Sequence, residues 1–99
     1  MRSVEHTIRS GSGGRQVLRI DLHGVSVSGP GGRTVIRWEW IEDITGGDET
    51  VVRAASGTIT IPPGTFGFAP DALVAQLHAA RSITDRTDVI QRLSQGAVS

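Results

Sequence analysis

The residues with chemical capacity lie in a few short stretches. Glu39, Glu42 and Asp43 crowd the segment RWEWIEDI (37–44), and neighbouring carboxylates are common equipment for general acid–base catalysis. His6, His23 and His78 are the three imidazoles. They show neither the H-x-x-x-H spacing nor the carboxylate pattern of a metal site, so each reads as a surface or sheet-edge residue. The serines form no G-x-S-x-G elbow. GSGG at 11–14 is not followed by the lysine of a phosphate-binding Walker loop. The dense carboxylates read best as the solvated side of a bend. The expectation is a non-enzyme without metal or cofactor; an enzymatic reading would rest on Glu39, Glu42 or His23 with no supporting motif.

All ten basic residues are arginine, the better fork for carboxylates and phosphates. Arg9, Arg15 and Arg19 flank the glycine loop. Backbone N–H groups and guanidinium forks there could cradle an anion or a lipid headgroup, with Arg15 the leading residue. Solvated charge is the preferred reading of all three. The aromatics are the other candidates. Trp38 and Trp40 have the same parity, so a regular strand points both rings to one side. The area an indole buries favours the core for Trp38, while Trp40 is evenly balanced between a rim position and a contact surface. Phe66 and Phe68, in IPPGTFGFAP, read as a partner-binding edge or as residues closing the fold beside a helix. The closing role is preferred for at least one of them.

Composition narrows the class. Net charge is zero and the pI is near 6.8, which argues against a nucleic-acid partner. The chain has no cysteine, which fits a reducing compartment. No apolar run approaches the ~20 residues of a membrane helix, and the N-terminus lacks the apolar stretch of a signal peptide. The expected location is the cytoplasm, with the inner face of a membrane reached only through a partner or a longer parent protein.

Glycine-rich punctuation at 11–14, 29–32, 46–47 and 62–64 separates short β-branched segments, a β-meander signal of six to seven antiparallel strands. Val4, His6 and Ile8 share a face, as do Leu18, Ile20 and Leu22, Val25 and Val27, and Ile59 and Ile61. Pro62-Pro63-Gly64 must end the last strand. W-x-x-I-x-x-I has period three, which a straight strand cannot keep on one side. A bend or bulge after Trp38 would turn Ile41 and Ile44 inward with it. From Pro70 the period becomes helical: Leu73, Leu77 and Ala80 make a stripe, widened by Val74 and Arg81. Beyond it, Thr84 or Thr87 caps a second helix carrying Val89, Ile90 and Leu93, or the first helix runs on. That tail is sparse in apolar residues and needs a partner surface. The domain organisation expected is 1–82 for the sheet region and its closing helix, and 83–99 for a helical extension or tail.

The order of these motifs resembles the bacterial pleckstrin-homology-like (PH-like, GRAM-related) family. Trp38, Ile41 and Ile44 fall on its W-x-x-I-x-x-I step, Gly57, Ile59 and Ile61 on its G-x-I-x-I strand, and Leu73 and Leu77 on its closing helix. The resemblance covers roughly residues 16–81. It implies a mainly β (α+β) fold, a split barrel of six to seven antiparallel strands closed by a C-terminal helix. It also implies an anion site at the first loop in phosphoinositide-binding members, although the lysine-rich signature of those members is missing here. The leading functional expectation is a non-catalytic, self-associating or protein-binding module using Trp40, Phe66, Phe68, Ile90 and Leu93. The alternative is a peripheral anionic-lipid or small-anion binder using Arg9, Arg15 and Arg19.

Overall fold

Alternation of apolar and polar residues, broken by glycine turns, builds two separate antiparallel sheets. In the computed structural model, which describes residues 3–10 and 14–98, β1 (Ser3–Ser10), β2 (Gly14–Asp21), β3 (Gly24–Gly29) and β4 (Gly32–Arg37) pair in chain order. β5 (Ile41–Thr45), β6 (Thr50–Ala54) and β7 (Gly57–Ile61) form the second sheet. Two helices follow, α1 (Pro70–Ala80) and α2 (Arg86–Val98). Val4, Ile8, Leu18, Ile20, Val25 and Ile36 supply the buried face of the first sheet; Ile41, Ile44, Val52, Ile59 and Ile61 supply that of the second.

Leu22 leaves this pattern and is exposed. β2 ends at Asp21, whose Oδ1 accepts hydrogen bonds from the backbone N–H groups of His23 (2.8 Å) and Gly24 (3.0 Å). This side-chain turn takes Leu22 off the core face. Gly24 then runs against β4: a Cβ there would collide with the Ile36 carbonyl and fall 2.7 Å from the Arg37 Cα.

The two sheets meet at a corner, a 3-10 turn over Trp38–Trp40. The Trp38 indole N–H donates to the Asp21 carbonyl at 2.8 Å, and its backbone N–H donates to the His23 carbonyl at 3.1 Å. The ladder between β5 and β6 shifts between Ile41 and Asp43. Trp38, Ile41 and Ile44 are therefore all buried, as the period-three spacing requires.

The sheets do not close into a barrel. Among the described residues no strand pairing joins one sheet to the other, which corrects the split-barrel expectation. A shallow cleft of about 260 Å³, lined by Gln16, Val27, Thr34, Thr58, Ile59 and Thr60, opens between them. The threonines along this seam are exposed and hydrogen-bond water readily, so nothing there demands closure.

α1 begins with Pro70 at its first turn and Asp71 beside its positive end. It buries Leu73, Leu77 and Ala80. His78 and Arg81 tie it to β5: His78 Nε2 lies 3.3 Å from the Ile44 carbonyl, and Arg81 Nη2 donates to the Ile41 carbonyl at 3.1 Å. The chain then turns at 82–85, so the tail is a separate helix and not a continuation. Its first i+4 bond runs from the Val89 N–H to the Asp85 carbonyl at 3.0 Å. Asp85 thus holds the capping position expected of Thr84 or Thr87; Thr87 lies inside the helix.

α2 finds its partner surface inside the chain. It packs on α1, on β1 and on the 3-10 turn Thr65–Gly67, burying Val89, Ile90 and Leu93 completely. Arg86, at its start, is buried although it is charged. Its guanidinium donates to the carbonyls of Ala80 (2.8 Å), Leu22 (3.1 Å) and Arg81 (3.2 Å) and stacks over Trp38 at 5.1 Å. One side chain therefore ties the end of α1, the β2–β3 turn and the corner indole together. Desolvation pushes its pKa below the ordinary arginine value, and the charge of Glu39 pulls it back up.

Candidate functional site

The corner that buries Trp38 displays Trp40. Equal parity in a strand would put both rings on one side; the 3-10 turn rotates them apart, leaving Trp38 buried and Trp40 49% exposed. The Arg37 guanidinium lies over the Trp40 ring, 5.6 Å from its centroid. Its Nε also pairs with Glu39 Oε1 at 3.3 Å, which holds the cation in place above the indole. Beside the ring is a shallow, open hollow of about 300 Å³ lined by Trp40 with Ala55 and Ser56 of the β6–β7 turn. The lining is apolar except for the Ser56 hydroxyl. It carries no carboxylate, imidazole or thiol, so it offers contact area and a cation–π edge rather than acid–base or nucleophilic chemistry.

The other expected contact residues lie elsewhere. Phe66, Ile90 and Leu93 are fully buried in the common core, because the tail folds back onto its own sheet and α1. A partner could reach them only if the domain opened. Phe68 is half-buried and packs against that core. Phe66 adopts a left-handed backbone (φ 59°, ψ 16°) between Gly64 and Gly67, which are also at positive φ. Its ring meets His6 edge-on at 5.2 Å. A non-glycine residue there costs on the order of 1 kcal/mol or more, and the complete burial of the ring holds it.

The carboxylates and imidazoles stay scattered. Asp43 pairs with Arg53 at 3.2 Å, Glu42 is exposed on β5, and His23 sits in the β2–β3 turn. Among the described residues no three His, Asp or Glu gather as a metal site, and no helix is long and apolar enough to cross a membrane.

Of the glycine-loop arginines, Arg15 and Arg19 are exposed on the outer side of β2. Arg19 Nε approaches Asp21 Oδ2 at 3.4 Å. The Arg9 side chain and residues 11–13 lie outside the described residues. Sequence reasoning missed Arg33 and Arg37, which share that outer face through β4. The signal was present as R-x-V-x-R, at 15–19 and again at 33–37. The chain matches no protein-family model, no curated protein and no solved structure.

Proposed function

We propose that this domain is a non-catalytic interaction module that binds protein through the Trp40 hollow. One observation carries the reading: a half-exposed indole, held beneath an arginine and open beside an apolar hollow. Exposed tryptophan and arginine in such a pairing are the residue types that dominate protein contacts. We also propose kinship with the PH-like family. The run of four and then three antiparallel strands ahead of a C-terminal helix supports it, together with Trp38, Ile41, Ile44, Gly57, Ile59, Ile61, Leu73 and Leu77 at the quoted motif positions. The proposed setting is the cytoplasm.

The test is a photo-crosslinking residue at position 55 of the full chain, activated in its native cells. The expected outcome is a discrete adduct that disappears when Trp40→Ser is added. An adduct pattern indifferent to Trp40→Ser would overturn the reading.

The second reading, peripheral binding of anionic lipid or a small anion, draws on the outward placement of Arg15 and Arg19. Salt-sensitive sedimentation with anionic liposomes, weakened by Arg15→Glu, would support it.

A further inference from the structure

The alternation that fills the core leaves the opposite side of the four-stranded sheet to solvent. Registers across that side run Thr7–Val17–Ser28–Arg33 and Glu5–Arg19–Ser26–Val35. β2 contributes Arg15, Val17 and Arg19; β4 contributes Arg33, Val35 and Arg37, all exposed. The two R-x-V-x-R stripes run parallel, about 10 Å apart with β3 between them. The central strand offers only two serines between them, Ser28 exposed and Ser26 buried. The result is a basic face with two exposed valines, bordered at Arg37 by the Trp40 ring.

Zero net charge conceals a separation. Residues 1–37 carry six arginines and two carboxylates, a formal +4; residues 38–99 carry four arginines and eight carboxylates, a formal −4. Part of the second set gathers at one corner. Asp48 and Glu49 are exposed on the β5–β6 loop. A Cβ on Gly46 of that loop would come within 2.9 Å of Asp71 Oδ1. Thr50 Oγ1 donates to the Pro70 carbonyl at 3.4 Å, so the loop and the first turn of α1 form one surface. Among the described residues, Arg15 and Arg33 on the basic face and Asp48, Glu49 and Asp71 at this corner make no ion pair.

We infer that the outer face of the four-stranded sheet docks the acidic corner of a second copy of this chain, head to tail. Charge complementarity selects this occupant, because the chain carries both halves of the match in equal amount. The contact joins unlike surfaces, the basic face of one copy and the acidic corner of the next. With no net charge, two copies meet no overall repulsion. Exposed ion pairs are individually weak, so the association is weak and salt-sensitive. The inference rests on the interaction-module reading only in naming a protein partner; Arg15 and Arg33, which its test changes, do not line the Trp40 hollow, and Arg37 borders both.

Sedimentation equilibrium of the full chain tests it. In about 0.01 M salt, where the Debye length is about 30 Å, the weight-average mass should rise with concentration above the 10.5 kDa of one chain. In about 1 M salt it should return to one chain. Arg15→Gln with Arg33→Gln disables the basic face, and Asp48→Asn with Glu49→Gln disables the acidic corner, neither change creating a new complement to the other. Each double variant alone should stay monomeric. Their equimolar mixture should form a dimer and stop there, since each chain keeps one working surface; that recovery also shows both variants folded. Trp40→Ser should associate like the wild type, so loss of the Trp40 crosslink and loss of self-association are separate failures. A wild type monomeric at low salt, or a mixture that does not dimerise, overturns the inference. Binding of phosphatidylglycerol vesicles or an oligothymidylate by a wild type that stays monomeric overturns it too, by assigning the face to another anion.

Discussion

Arg86 is a buried charge with carbonyls as its hydrogen-bond partners and an indole for a floor. Removing it strands acceptors that water reaches poorly, so Arg86→Ala should destabilise the fold by about 2–4 kcal/mol. Arg86→Lys should recover only part of this, because a point charge cannot span three carbonyls and stack as well. Urea denaturation with an unchanged slope would read both. The lowered pKa gives no switch near neutrality. A base whose folded pKa is depressed carries a constant penalty at all pH well below that value, relieved only as pH rises through it, and arginine stays charged until then. Trp38→Phe, which loses the bond to the Asp21 carbonyl, should cost about 1–3 kcal/mol in the same measurement. Trp38, Ile41 and Ile44 were legible in the sequence because a period of three permits no straight strand. Trp40 was not, since parity counts only while the chain stays extended. Arg86 left no trace either: its carbonyl partners include one 64 positions away.

At the scale of elements, α2 decides whether there is a core. Leu93→Ala should cost about 2–5 kcal/mol, and a chain ending at residue 82 should lose its cooperative thermal transition, since Val89, Ile90 and Leu93 vanish with it. Far-UV circular dichroism during heating would check both. The stripe on α2 was visible as a need for a neighbour; its spacing could not say whether that neighbour lay within the chain. The glycine turns were plain because their chemistry is local. Gly24 adds a constraint that only three dimensions reveal, its close approach to β4. Gly24→Ala should destabilise the domain by about 2 kcal/mol or more as the β3–β4 pairing yields, read by amide exchange along β3 and β4.

Across the whole molecule, two meanders are folded against each other at one corner, with helices on one side and an open seam on another. The two tryptophans report on that arrangement. Iodide should quench the exposed Trp40 and spare the buried Trp38, removing about half of the tryptophan emission; complete quenching would mean the corner does not hold. The meander was foreseeable from short, locally joined strands, but its division into two open sheets was not, because closure depends on how two edges far apart in sequence face each other. The packing of α2 on β1 also orders events in time. During synthesis both meanders can pair from neighbouring hairpins as they emerge. The inner side of the first strand, with Val4 and Ile8, lacks its full cover until α2 follows some eighty residues later. The nascent chain therefore carries a sticky first strand through the synthesis of some eighty further residues, which is the interval in which a chaperone would find it.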